Sequence, residues 1–221
     1  MDKLKIMKKS LFLLLIIALN LAGCSQSSSI KNQTGKKVGG GCEGCEAIYE
    51  SPVPFEKLNS VDTLPDFNEP GPKLEISGIV YQHDGKTPAK NVIIYVYHTD
   101  QSGNYTAKEN QAGWGKRHGY IRGWMKTDKN GFYRFYTLRP AAYPGRNIPA
   151  HIHVTVKEPD KNEYWIDEYL FDEDPLLTSE ERKKQEKRGG SGILKPADVG
   201  NMQKAERNIY LGKNIPDYPK Q

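Results

Sequence analysis

Two histidines one residue apart, in Ala150-His151-Ile152-His153-Val154, are the pair in this chain best spaced to hold a metal ion. On a β-strand, residues i and i+2 share a face and lie about 6.6 Å apart along the chain. Two imidazoles placed so are suited to one ion, and burying both is costly unless something shares their lone pairs. His83, His98 and His118 have no such neighbour in sequence, and His83 falls in a turn segment, His83-Asp84-Gly85-Lys86. Cys42 and Cys45 form the other close pair, within a glycine-rich stretch. A thioredoxin-like redox pair would open a helix after a strand, and a zinc site would need a second Cys or His pair nearby. A local structural disulfide is therefore the favoured reading.

The elements that must position these residues read as strands. Leu74–Tyr81, Val92–His98, Ile121–Thr127, Phe132–Tyr136, His151–Val156 and Tyr164–Phe171 are rich in β-branched and aromatic residues. Asn130-Gly131 predicts a hairpin turn between the third and fourth of these. Thr178-Ser179-Glu180-Glu181 is a capping box for one short helix, with Thr178 as N-cap and Glu181 at N3. Many short strands with regular turns and few helical stretches predict an all-β sandwich or barrel.

The chain has 221 residues, 37% of them hydrophobic, which is enough for one sizeable core and argues against a disordered or disulfide-scaffold protein. Much of the formal net charge of +5 sits at the start, on Lys3, Lys5, Lys8 and Lys9 against Asp2. The remainder gives no general case for nucleic-acid binding. After those lysines comes an apolar run, Leu11–Leu21, too short for the ~20 residues of a spanning helix. Leu21-Ala22-Gly23-Cys24 resembles the lipobox of bacterial lipoproteins, in which the cysteine becomes the lipidated first residue. The expected organisation is a lipoprotein signal peptide at 1–23, the lipidated Cys24 opening a flexible Ser/Gly/Pro-rich tether at 24–72, and a folded domain at 73–221. Within that tether, Tyr49–Phe67 carries enough apolar residues to pack on the domain. The expected location is the cell envelope, with the domain outside the cytoplasm and anchored to a bacterial membrane.

Several segments together resemble the intradiol ring-cleavage dioxygenases, the family of the catechol and protocatechuate enzymes. They are Val96-Tyr97-His98-Thr99-Asp100 to Gly103-Asn104-Tyr105, Arg122–Asp128, Gly131–Phe135, Pro140-Ala141-Ala142-Tyr143-Pro144 and Ala150–His153. The resemblance covers roughly residues 73–212, and its specific part is the Tyr-Pro with the His-x-His pair. It implies a β-sandwich of Greek-key, prealbumin-like topology with one short C-terminal helix. It also implies one non-haem Fe(III) held by Tyr105, Tyr143, His151 and His153. Hard ferric iron favours anionic oxygen, and a metal can ionise a phenol whose free pKa is about 10. By the same resemblance, a catecholate displaces Tyr143, which takes up a substrate proton, and dioxygen opens the ring to a muconate-type diacid. The implied partners are a small catecholic substrate and O2, and since family members often dimerise, a homodimer is admitted.

Two positions depart from the family pattern. Where members commonly carry an Arg three residues before the first His, this chain has Ile148, with Arg146 two residues earlier as the substitute catalytic cation. A Gln common in the following strand is replaced by Glu168, whose charge would repel a catecholate unless protonated or paired. Two other function classes stay open on sequence: a membrane-anchored, non-catalytic transthyretin-like binding module, and a copper or zinc site using the His pair with His98 or His118.

Overall fold

The computed structural model describes residues 37–219. Cys24, the signal segment 1–23 and the tether as far as residue 36 lie outside the described residues. Eleven strands follow in order: β1 (Val61–Thr63), β2 (Lys73–Tyr81), β3 (Ile93–His98), β4 (Arg122–Lys126), β5 (Phe132–Leu138), β6 (His151–Lys157), β7 (Glu163–Phe171), β8 (Ile193–Leu194), β9 (Ala197–Val199), β10 (Met202–Glu206) and β11 (Ile209–Tyr210). Two short helices, α1 (Gly115–His118) and α2 (Ser179–Lys184), interrupt them. Thr178 caps α2 as its capping box predicts, its hydroxyl accepting from the Glu181 N–H at 3.3 Å.

The strands form two sheets. One runs β1-β5-β2-β10-β9 with β11 also on β2, and the other runs β4-β3-β6-β7-β8. Alternation turns Leu74, Ile76 and Val80 of β2 and Tyr133 and Phe135 of β5 toward Ile94 and Val96 of β3 and Ile152, Val154 and Val156 of β6. The core lies between the sheets. His98 is buried with it, its Nε2 2.7 Å from the Thr137 hydroxyl and its Nδ1 2.8 Å from the Thr99 carbonyl. Among the described residues no helix is long and apolar enough to cross a membrane.

Two expectations need correction. The Asn130-Gly131 turn does not close a hairpin, because β4 and β5 belong to different sheets. The chain arches from one sheet to the other there, with the Asp128 carboxylate accepting from the Asn130 and Phe132 N–H groups at 2.8 and 2.9 Å and Gly131 taking the positive φ of 71°. The stretch 37–72 is also not a free tether. Val38 and Leu64 enter the main core, and β1 pairs in parallel with β5. Ala47, Ile48 and Leu58 cover Ile93, Tyr95 and Trp124 on the outer face of the second sheet. That face is too apolar to leave wet, and short 3-10 turns at Cys45–Glu50 and Phe55–Lys57 cover it without regular periodicity. The folded domain thus begins by Val38 instead of near Lys73.

Candidate metal centre

The outer face of β6 carries the site. Because Ile152 and Val154 turn inward, His151 and His153 both turn outward, as strand alternation predicts. Two loops bring tyrosines to them. Tyr105 follows β3 in a loop organised by Asp100, whose carboxylate accepts from the Ser102 and Asn104 N–H groups at 2.8 and 3.1 Å. Tyr143 lies in the loop between β5 and β6. The loops are joined by Thr99 Oγ1 donating to the Ala141 carbonyl at 2.6 Å and by the Ala141 N–H donating to the Asp100 carbonyl. They approach so closely at Gly103 that a Cβ there would stand 2.1 Å from the Ala142 carbonyl oxygen.

Four donor atoms converge. Tyr105 Oη lies 2.6 Å from Tyr143 Oη and 2.8 Å from His153 Nε2. Tyr143 Oη is 3.1 Å from His151 Nε2, and the two Nε2 atoms are 3.2 Å apart with their rings at 90°. Each imidazole is oriented from behind. His151 Nδ1 is 2.8 Å from the Pro149 carbonyl, and His153 Nδ1 is 2.8 Å from a Glu168 carboxylate oxygen. Both acceptors require a hydrogen on Nδ1, so both Nε2 lone pairs point inward, the arrangement that ligand histidines show. Donors about 3 Å from one another suit a single ion with bonds of roughly 2 Å. The set of two imidazole nitrogens and two phenol oxygens therefore fits a hard transition-metal ion.

Electrostatics supports the same assignment. Burial pushes both phenols up, and at Tyr105 the bond with Tyr143 adds to it. At Tyr143 the Tyr105 bond and the Arg146 charge work the other way. Without a cation both hydroxyls keep their protons and can donate to the two Nε2 atoms, so metal binding would exchange those protons for the ion. Burial keeps His151 neutral by lowering its pKa. Glu168 lies close enough to His151 and His153 to count as a third ligand by proximity. Its bond to His153 Nδ1 makes it the carboxylate behind a ligand instead. Burial raises its pKa, but the His153 hydrogen bond and the charge the two imidazoles carry when protonated outweigh that and hold it at about 2.

The remaining sequence candidates fall outside the four-donor cluster. His98 is consumed in the core, and His83 stacks on Tyr218. His118 bonds Tyr95 through Nδ1 at 2.9 Å. Cys42 and Cys45 are joined by a disulfide, and the loop they close lies against His153 and Glu168 in a cleft of about 220 Å³. Ile148 is 39% exposed. Arg146 lines an open cleft of about 510 Å³ together with Tyr105 and Tyr143. A second cleft, of about 370 Å³, shares the two tyrosines and His153 and adds Tyr97, Trp114 and His118. Sequence reasoning missed that wall. Its signal was Trp114 and His118 in a loop otherwise polar, too weak to separate from surface residues.

Comparison with known proteins points to one family. A family model described as Dioxygenase matches residues 51–188. The chain is 30% identical over 113 residues to the protocatechuate 3,4-dioxygenase beta chain of Burkholderia cepacia, covering 48% of each. It is 29% identical over 170 residues to catechol 1,2-dioxygenase 2 of Acinetobacter lwoffii, covering 66% of this chain and 56% of that one. It thus spans about half the length of these relatives. The dioxygenase domain of a dioxygenase–carbohydrate-binding fusion from Streptomyces sp. SirexAA-E shares the fold, with a TM-score of 0.52 at 21% identity over 73% of this chain and 94% of that one.

Proposed function

This chain belongs to the intradiol ring-cleavage dioxygenase family, and from that premise we propose that it opens a catecholic ring with dioxygen, using one ferric ion held by Tyr105, Tyr143, His151 and His153. The observation that carries the proposal is the convergence of those four donor atoms, with both imidazoles turned Nε2-inward. When bound, the ferric ion supplies a Lewis acid and a template for the catechol and O2. The protein supplies the rest. His151 and His153 are fixed by β6 and by the acceptors behind their Nδ1 atoms, and the Tyr105 ring packs against Tyr97. Tyr143, the less enclosed of the two tyrosines, would be the ligand to give way, with its Oη taking up a proton from the substrate. Arg146 on the cleft rim favours the Tyr143 phenolate and offers positive charge to the bound dianion. Both atoms of O2 end in a muconate-type diacid.

A non-catalytic binding module has no use for four inward-facing donors, and for a copper or zinc site His98 has both ring nitrogens bonded in the core while His118 is separated from His153 by the Tyr97 ring. The proposal carries with it the Greek-key, prealbumin-like connectivity of the sandwich and room for a homodimer. Membrane attachment through Cys24, with the domain outside the cytoplasm, belongs to it as well.

The test is metal analysis and a visible spectrum of the purified protein, followed by oxygen uptake with catechol, hydroxyquinol and protocatechuate scored for diacid. Iron, a strong tyrosinate charge-transfer band and ring cleavage are expected. A colourless zinc protein, or iron without cleavage of any of the three, overturns the proposal.

A further inference from the structure

His118 stands in the cleft beside the four donors, yet the reaction outlined above gives it no part. It ends α1 and is tied to the Tyr105 loop, since the Tyr120 N–H donates to the Thr106 carbonyl at 2.9 Å. Its ring lies flat on Tyr97, with centroids 3.7 Å apart and planes 3° apart, and Tyr97 in turn stacks on His153 at 4.4 Å. The 370 Å³ cleft is thus lined by Trp114, His118 and Tyr97 as well as by Tyr105, Tyr143 and His153, together with the exposed Arg117–Glu43 ion pair.

The groups behind this imidazole bear on where its hydrogen sits. Its Nδ1 lies 2.9 Å from the Tyr95 hydroxyl. Tyr95 is fully buried, and the Arg122 guanidinium, ion-paired to Glu50 at 2.7 Å, interacts with its hydroxyl. A guanidinium only donates, which leaves the Tyr95 O–H free to donate to His118 Nδ1. In that tautomer Nε2 carries the ring hydrogen. Burial, which lowers the His118 pKa to about 4, keeps the ring neutral. Nε2 lies against Gly44, where a Cβ would come within 2.9 Å, so only glycine fits beside this edge of the ring, and His118 lines the same cleft as Tyr105, Tyr143 and His153. Gly44 also takes a positive φ of 81° in the disulfide loop.

We propose that His118 is a catalytic residue whose Nε2–H donates a hydrogen bond to negative charge developing on the ring under attack. The inference rests on the proposed ring cleavage. A neutral, pre-oriented donor in a walled cleft needs no reorganisation as charge builds, and losing one such donor typically costs about 10²–10³ in kcat.

The test uses full-length, iron-loaded protein. His118→Phe keeps a flat ring on Tyr97 but removes the N–H. It should retain iron and the visible band, keep KM within about threefold and lose at least tenfold in kcat. His118→Gln, which restores an N–H, should recover part of that loss. Tyr95→Phe tests the same donor from behind, by freeing the tautomer without entering the cleft, and decides the matter if His118→Phe does not fold. It too should lower kcat with iron retained. Unchanged kcat in the folded variants overturns the inference and leaves the ring-cleavage proposal standing. Loss of iron or colour in His118→Phe also overturns it, since the stack would then be structural. Iron-loaded wild type that cleaves no catechol removes the function proposal, and this inference with it.

Discussion

Glu168 Oε1 lies 2.8 Å from His153 Nδ1 across a bulge between β6 and β7. Before the bulge Tyr164 and Ile166 face the core, and after it Tyr169 and Phe171 do. Alternation therefore slips by one residue and turns Glu168 to the face that carries His153. A carboxylate next to a catecholate should repel it, but this one is paired with an imidazole N–H. Its charge strengthens the basicity of His153 Nε2 toward a metal.

Glu168→Gln keeps an acceptor for His153 and removes the charge. We expect iron affinity to fall about tenfold, within the range typical of groups that orient a metal ligand, measured by competition with a chelator. The metal-free protein gives a second readout. The folded-state pKa of Glu168 is depressed from 4.5 to about 2, so its contribution is fully present above about pH 4.5 and is lost as pH falls toward 2. Thermal melts between pH 5 and 2 should decline more steeply for wild type than for Glu168→Gln. Parallel curves would show that the pairing contributes nothing to stability.

The His-x-His pair was legible because β6 is regular and parity alone places both rings outward. Glu168 was not, because counting by twos from Tyr164 puts it in the core and nothing in the composition announces the bulge. Tyr105 and Tyr143 lie on loops, where no periodicity operates, so only family resemblance could select them from 13 tyrosines. Six strands of the sandwich could be read from β-branched and aromatic runs. The Asn130-Gly131 turn could not be assigned to an arch, since a local turn signal does not say which sheet each flanking strand joins.

His151→Ala and His153→Ala should each lose iron and the visible band while the sandwich stays folded, because the core lies on the opposite face of β6 at Ile152, Val154 and Val156. Far-ultraviolet circular dichroism and metal analysis check this. Full iron occupancy in either variant would remove that histidine from the ligand set.

Ile48 belongs to a stretch whose composition reads as linker, yet it is fully buried and its carbonyl accepts from Trp124 Nε1 at 2.9 Å. Ile48→Ala should cost about 2–4 kcal/mol in denaturant unfolding, as truncation of a core aliphatic does. A change near zero would return residues 37–58 to the status of a tether.

Cys24→Ser should release the protein from the membrane fraction, because one residue would carry all the acyl chains. Cell fractionation and the mass of the mature chain decide it. A mutant that stays membrane-bound, alongside unprocessed full-length wild type, contradicts lipid anchoring.

Tyr143→Phe is the sharpest test of the site, since it deletes one oxygen while keeping the ring and its packing nearly unchanged. The lost hydroxyl is the one 2.6 Å from Tyr105 and 3.1 Å from His151, and in the proposed reaction it both leaves the metal and accepts a substrate proton. A shifted visible band should accompany the loss of ring cleavage. General-base contributions are typically about 10²–10⁴-fold, so at least a hundredfold loss is expected. The control needs a tyrosine whose hydroxyl does little. Tyr133 does not serve, because it is fully buried, bonded to the Tyr169 hydroxyl and donating to the Arg207 carbonyl, each at 2.7 Å. Tyr136, in the other sheet and only partly buried, meets a single weak donor, Arg134 at 3.4 Å. Tyr136→Phe should leave colour and turnover intact, and equal behaviour of the two variants would refute Tyr143 as ligand and base.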